Sequence, residues 1–552
     1  MVVVAHHPSA HRRPARPMSV DARHSTRVAS MAGGTLVSRL TGLVRVFVLA
    51  WVLGFTPIAD AFNLANTVPN MLFDVVLGGV ATATFIPVFV ESLAREGERR
   101  AWRSISSIVS LAAAVLVVAS VLAWVFAPWI IQGFTFVSRS SSSAPASATA
   151  AVVAAQRALA TTLLRWFVPQ IFFYGLIGLA TSLLNVRRRF VVAAWVPIAN
   201  NVVAIAALVW YHLVDPTPVL EGLSGTRDLA WLGALTTAGV ALQFLLLVPS
   251  LARSDLWRIR LRFDVRDHAV RTVARLSGWT LGLVAANQAS LYVVLALAFG
   301  IGGDGPVSAY TYGWSFMMMP YAVVVVSVMS SLAPQLAGLA TEGRPEAFAE
   351  RMRFGLRQSL VIILPATAAL IVLSQPLAAI LLNRADASQS LLAGTAIAVL
   401  AAGLPGFCVF QLCVRGLQAM QRARDVFLLY VLDNGVAVVL CVAIGRHSLA
   451  GLCAAVSIGY TVAALAALGT LALRRVDIVA AVGGVHVRRS LVATLVATLV
   501  MAVVYAGPTW SHGLKLVARF GAAGLAGTLG YLLVASVGAR RARRATGPRA
   551  RL

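Results

Sequence analysis

The sequence predicts an all-α fold of the polytopic membrane class with about fourteen transmembrane helices, and three observations carry that prediction. Apolar residues make up 59% of the 552 positions and charged residues only 12%, against roughly a quarter charged in soluble globular chains. A water-soluble fold of this size could not dress its surface with so few charges. Apolar stretches of about 20 residues recur from Val28 to Gly538, each long enough to cross a hydrocarbon core of roughly 30 Å as a helix. Basic residues, finally, are concentrated in alternate connections, as a membrane topology requires.

The spans are expected at 28–54, 58–93, 104–134, 156–184, 190–213, 229–251, 270–300, 305–339, 355–382, 388–420, 425–445, 447–473, 490–507 and 517–538. They divide the chain into a disordered basic tail (1–27), an N-terminal six-helix lobe (28–251), a linker (252–269), helices 7 to 12 (270–473), helices 13 and 14 (474–538) and a second basic tail (539–552). The low-complexity run Ser138 to Ala155 reads as a flexible connection.

Counting cations by loop tests the parse. The two tails, Arg95 to Arg103, Arg187 to Arg189, Arg253 to Arg275, Arg344 to Arg357, Arg422 to Arg424 and Arg474 to Arg489 hold about 35 of the 46 basic residues, and the alternate loops about seven. An even number of spans with both termini cytoplasmic follows. The formal charge of +26 is therefore a topology signal, and a nucleic-acid partner is not expected. The Arg540 to Arg551 cluster suits anionic membrane lipids, at about 1 kcal/mol per basic residue near the surface.

Arg39-Leu40-Thr41-Gly42 opens the first span and Arg275-Leu276-Ser277-Gly278 the seventh. Each is followed by a helix bearing two prolines, Pro69 and Pro87 or Pro320 and Pro334, a pattern that fits two lobes built from a duplicated unit.

Enzymatic chemistry finds no support. The chain has no zinc-binding His-Glu-x-x-His, no phosphate loop ending in Gly-Lys-Ser and no nucleophile elbow. Its four cysteines lie in apolar spans without metal-ligand spacing. No cofactor is expected, and transport would draw on Na+, H+, the membrane potential, a substrate gradient or a partner.

Charges inside a bilayer cost about 2.5 to 3.5 kcal/mol each even on the lenient insertion scale, so the few present mark a cavity or a partner. They are Arg39, Arg45, Arg165 and Arg415 against Asp60, Asp74 and Asp433. Asp60, Asn63, Thr67, Asn70 and Asp74 recur at steps of three and four, within an arc of roughly 120° on one helix face. Such a stripe faces protein or water. Arg39 and Arg45 lie about 120° apart and can border a wide hollow, where guanidinium grips phosphate through two parallel hydrogen bonds. The bland alternatives are a stripe that only packs helices together, Arg39 snorkelling to the surface, and Arg45 pairing with Asp60 or Asp74. Arg165 snorkels outward and Arg415 reaches the cytoplasmic interface. Asp433, beside Asn434, suits a coupling cation or proton, or a structural pair. Asn200-Asn201, Asn287-Gln288 and Tyr310 through Trp314 are further candidates for the lining.

The run Ser38-Arg39-Leu40-Thr41-Gly42-Leu43-Val44-Arg45, then Ala59-Asp60-Ala61-Phe62, Val68-Pro69-Asn70 and Phe85-Ile86-Pro87-Val88, resembles the MurJ (MviN) family of lipid II flippases. Leu404-Pro405-Gly406-Phe407 with Gln411 and Arg415-Gly416 is similar to the family's tenth helix. Ala65-Asn66-Thr67-Val68-Pro69-Asn70 with Leu77-Gly78-Gly79 looks like actinobacterial members. The resemblance implies two lobes around a central cavity that turn lipid II headgroups across the plasma membrane for peptidoglycan synthesis. It also implies a groove for the polyprenyl tail in the last two spans, and carries the cavity arginines and aspartate over to Arg39, Arg45 and Asp60. Asn63, Asn70 and Asp74 are added as substrate-binding candidates on the stripe alone. The chain departs from the family where relatives carry arginine and this chain has Phe73 before Asp74, where a glutamate is replaced by Gly78, and where an arginine is replaced by Ser315. Competing readings are a polysaccharide-lipid or multidrug exporter of the same superfamily, a membrane glycosyltransferase, and a scaffold for cell-wall enzymes.

Overall fold

Hydropathy sets where the helices cross, and proline sets where they break. The computed structural model describes residues 18–78, 85, 88–91, 98–136, 146–187, 189–215, 226–253, 259–381, 387–474, 476, 478, 484–506 and 514–545, and every regular element among them is helical. The first half contains α1 (Met18–Leu53), α2 (Pro57–Phe73) with a π-helical turn (Asp74–Gly78), α3 (Glu98–Val125), α4 (Ala127–Thr135), α5 (Ala146–Phe167), α6 (Pro169–Val186), α7 (Phe190–Trp195), α8 (Pro197–Val214), α9 (Thr226–Leu245) and α10 (Val248–Ala252). The second contains α11 (His268–Gly300), α12 (Pro306–Thr341), α13 (Pro345–Val372), α14 (Ser374–Leu381), α15 (Ala387–Ala402), α16 (Leu404–Ala419), α17 (Ala423–Ala443), α18 (Leu449–Leu473), α19 (Val485–Ala506) and α20 (Leu514–Ala545).

Twelve helical stretches among the described residues are long and apolar enough to cross a membrane, and the bent pair α15 and α16 makes a thirteenth. The other expected span, the second, is represented by the 17 residues of α2 and the 5 of its π turn. Apart from 85 and 88–91, its continuation towards residue 93 lies outside the described residues. Several spans break one or two residues ahead of a proline, as at Phe126, Val168, Val196, Leu247 and Gly403. Proline has no N–H to donate and its ring collides with the carbonyl four residues back, so α15 and α16 meet at 42°.

Four expected boundaries move. α1 begins at Met18 and α20 runs to Ala545, so each helix reaches into a stretch expected to be a tail, while 1–17 and 546–552 lie outside the described residues. α5 starts at Ala146, inside the run expected to be a flexible loop, because its alanines favour helix once serine and proline are past. α13 starts at Pro345, which presets the first-turn dihedral, so Arg351, Arg353 and Arg357 stand on a helix and not in a loop.

The turns joining α12 to α13 and α16 to α17 share one design. The Arg344 N–H donates to the Leu339 carbonyl at 3.1 Å and the Arg422 N–H to Leu417 at 2.9 Å, each after a residue in the left-handed region, Gly343 or Gln421. This closes the last carbonyls of the preceding helix and fixes the reversal. The Arg189 N–H donates to Leu184 in the same five-residue relation ahead of α7, so the arrangement recurs in both halves of the chain.

Helices of each half pack mainly on one another, α1 on α8 and α2 on α5 in the first, α11 on α17 and α16 on α18 in the second. α19 and α20 pair with each other and lean on α13 through a separate apolar cluster of Ala368, Leu373, Ala497, Met501 and Ala523. Large apolar side chains such as Val118, Leu122, Leu525 and Leu529 point outward, a surface that fits lipid and not water. Residues 259–267, irregular with a turn at 265–266, lead into α11 and are held to α3. The Arg260 and Arg262 N–H groups donate to Ser106 and Ser110 at 3.2 and 3.0 Å, and Ser104 donates to Asp267, which caps α11. Arg262 also donates to Asp264 at 2.9 Å, holding that carboxyl below the usual range.

Candidate functional site

The two halves touch where the α1–α2 turn meets the α11–α12 turn. Gly305 has φ 89° and its backbone lies so close to Phe55 that an added Cβ would sit 2.5 Å from the Phe55 Cβ. Only glycine fits that place. Thr56 caps α2, its hydroxyl accepting from the Ala59 N–H at 3.2 Å, and Pro57 follows as the first helical residue. Asp60, one turn on, is buried and aimed at the start of α12.

α12 has no side-chain cap of its own, since its cap residue is Gly305. Asp60 supplies one from the other half: its Oδ1 accepts from the Ser308 N–H at 2.8 Å and from the Ser308 hydroxyl at 2.6 Å. A carboxylate there satisfies an amide that the helix cannot satisfy internally and faces the positive end of the helix dipole. The Asn63 amide donates to the Ser308 hydroxyl at 3.0 Å and to the Tyr312 hydroxyl at 3.1 Å, and Tyr312 stands edge-on to Phe55. Asp60 and Asn63 therefore fasten the halves at this end and do not line a hollow in this conformation.

Further along α2 the stripe emerges into a hollow. Two adjoining chambers of about 350 and 360 Å³ lie between the halves and share Asp74, Asn287, Gln288, Trp314, Asp433 and Tyr460 in their walls. Asp74 opens the π turn and accepts from Gln288 Nε2 at 2.9 Å, a further bond between the halves. Asp433 is buried and its Oδ1 has no hydrogen-bond partner among the described residues. Asn434 turns back to donate to its own helix at the Tyr430 carbonyl, 2.7 Å away. Asn70 is exposed, and its amide donates to the Asn66 carbonyl of its own helix at 3.1 Å.

The arginines stand apart from these chambers. Arg39 is exposed on α1 and Arg45 is half-buried there. Neither forms an ion pair with a described residue, so Arg45 does not pair with Asp60 or Asp74, whose partners are Ser308 and Gln288. Among the described residues, the walls of these two chambers carry two aspartates and no arginine, so Arg39 and Arg45 stand outside them. The reason is that α1 borders neither chamber.

Asn287, Gln288, Tyr310 and Trp314, named from sequence as lining candidates, do line the hollow. Asn201 does not; its amide donates to the Ser38 carbonyl and the Thr41 hydroxyl, pinning α8 to α1 around Arg39. Arg165 lies over the Trp124 ring at 5.2 Å. Ser308 was not legible in advance, because one serine in the first turn of a helix carries no periodic signal.

Comparison with known proteins agrees with this architecture. The family model described as lipid II flippase MurJ matches residues 49–517. The lipid II flippase MurJ of Burkholderia cenocepacia is 28% identical over 403 residues, covering 72% of this chain and 73% of the relative. A probable lipid II flippase MurJ of Rhizobium meliloti is 26% identical, covering 72% and 71%. Among solved structures, a lipid II flippase MurJ in an inward closed conformation superposes with a TM-score of 0.72 at 18% identity, covering 93% of this chain and 99% of that one. An inward-facing multidrug resistance transporter of the MATE family reaches 0.65 at 13% identity, covering 81% and 96%. The structural likenesses establish the fold, and the family model, spanning most of the sequence, shows that this chain belongs to the MurJ family of lipid II flippases.

Proposed function

We propose that this multi-pass membrane protein is a transporter that carries lipid II, a pyrophosphate-linked disaccharide-peptide on an undecaprenyl chain, from the cytoplasmic to the outer leaflet of the plasma membrane by alternating access. The observation that carries the mechanism is one-sided closure. Asp60, Asn63, Ser308 and Tyr312 fasten the halves at the α1–α2 end, whereas Arg39 is exposed nearer the opposite end of α1. With both termini cytoplasmic, the fastened end is the outer one and Arg39 meets the leaflet in which a pyrophosphate-linked precursor starts its journey. In this reading Arg39 and Arg45 receive the phosphates, Asp74 meets the headgroup within the hollow with Asn70 exposed one turn before it on the same helix, and release of Asp60 and Asn63 from Ser308 opens the outer side. The α19 and α20 pair accommodates the lipid tail, and the protein works beside the enzymes of cell-wall synthesis.

The test is depletion in the host with lipid II measured on the outer leaflet. Outward lipid II should fall, and Arg45→Ala or Asp60→Ala should fail to complement at normal membrane abundance. Unchanged outward lipid II with altered drug sensitivity would favour the multidrug reading.

A second element concerns energy. The unpartnered Oδ1 of Asp433 supports a cation or proton as the coupling species, because a buried carboxylate without a partner is costly. Asp433→Asn should abolish the dependence of flipping on an imposed Na+ or H+ gradient in vesicles; retained dependence would remove Asp433 from coupling.

A further inference from the structure

A second cavity, of about 490 Å³, lies at the other end of the second half, remote from the fastened turns and from the hollow. Three connections that are far apart in sequence build it: Arg344 ahead of α13, Gln421 and Arg422 ahead of α17, and Arg474 at the end of α18. Among the described residues its walls carry these three arginines and no carboxylate. Topology alone asks only that loops on this side be basic; it does not ask three of them to converge on one hollow.

The charges are only partly matched. Arg474 holds Asp425 at 3.0 Å and Arg344 holds Glu342 at 3.4 Å, both carboxylates standing outside the lining, and no ion pair with a described residue involves Arg422. Each paired guanidinium keeps further N–H donors free, since the group has five. Gln421 also lines the cavity and is the one described non-glycine residue with positive φ, at 58°. Its turn partner in the α12–α13 connection is Gly343, so a side chain is kept here where glycine would cost less. Behind the guanidinium groups the floor is apolar, with Phe348 and Val476 buried and Met420 beside them. Leu473, next to Arg474 though outside the lining, is 87% exposed, an apolar side chain beside the cavity that suits hydrocarbon and not water.

We propose that this cavity binds the phosphate headgroup of an anionic phospholipid of the cytoplasmic leaflet, separately from the transported substrate. Guanidinium groups take the phosphate, the Gln421 amide takes a glycerol or ester oxygen, and the apolar floor takes the first acyl carbons. An exposed apolar side chain beside the cavity distinguishes a bilayer ligand from a soluble one. The site places a lipid across the ends of α12, α13, α16, α17 and α18, so it acts as a clamp on one half and not on the route between halves.

The experiment uses the full chain in nanodiscs of phosphatidylcholine with a minor fraction of phosphatidylglycerol, followed by native mass spectrometry of the lipids retained. Wild type should keep one more phosphatidylglycerol than the triple variant Arg344→Gln, Arg422→Gln and Arg474→Gln. The single variant Arg422→Gln, which disturbs no ion pair among the described residues, should lower retention at least about tenfold. Arg446→Gln, in the connection between α17 and α18 at the opposite end, serves as the control and should change nothing. Equal retention by wild type and Arg422→Gln overturns the site. Displacement of the lipid by millimolar inorganic phosphate overturns the lipid assignment in favour of a soluble phosphate.

Discussion

Asp60 shows how one carboxylate is given two uses. It caps a helix in the other half of the molecule, and because it does so across a boundary that must separate, the cap is also a fastener. A hydrogen bond to a charged group contributes about 1.5 to 3 kcal/mol. Asp60→Asn should therefore shift this contact between the halves towards the separated state by about tenfold or more. Spin-label distances between the starts of α2 and α12 check this, and an unchanged distribution would show that the charge is not what holds the end shut. Ser308→Ala should move the same distribution in the same direction but less, since the Ser308 N–H bond to Asp60 survives. At Arg45 the fork geometry matters and not only the charge, so Arg45→Lys should restore complementation in part where Arg45→Ala restores none. Full rescue by lysine would argue for a simple point charge.

At the scale of the element, α2 does most of the connecting. Its first two turns bind α12, its middle carries Pro69, and its end becomes a π turn in which Asp74 faces Gln288. A π turn is a costly local feature and is found mostly where function needs a side chain re-aimed. Gly78 makes room for it: an added Cβ would lie 2.4 Å from Asp74 Oδ1. Gly78→Ala should push the carboxylate away from Gln288 and weaken the bond between halves, lowering flipping by several-fold while Asp74→Asn lowers it comparably. Additive losses in the double variant would show that the two do not act through one contact. Turn chemistry gives a prediction of opposite sign. Gln421→Gly removes the left-handed strain and should stabilise the detergent-solubilised protein by about 0.5 to 1 kcal/mol, read as a rise in melting temperature.

For the whole molecule, alternating access requires the halves to part at the fastened end. Asn63 and Ser308 touch there, side chain to side chain, at 3.0 Å. The four native cysteines are free and buried, so they can be replaced before new ones are added. Asn63→Cys with Ser308→Cys should crosslink on oxidation and halt complementation, with recovery on reduction. Growth that continues with the crosslink complete would mean that transport does not use this opening.

Length of span, sidedness of arginine and the polar stripe of α2 were all determined by the sequence alone. Each is a sum over neighbours along the chain: hydropathy over about 20 residues, charge over a loop, angle over a few helical turns. That is why the helices lie where expected while their ends and breaks moved, since caps and prolines act on single residues at the margins. Tertiary structure decided the rest. Asp60 meets a serine 248 positions away, Arg45 meets neither aspartate, and Arg344, Arg422 and Arg474 share one cavity although more than fifty residues separate the last two. Such pairings depend on how whole helices pack, and a stripe that reads as one face along α2 is divided by that packing into a fastener at one end and a lining at the other.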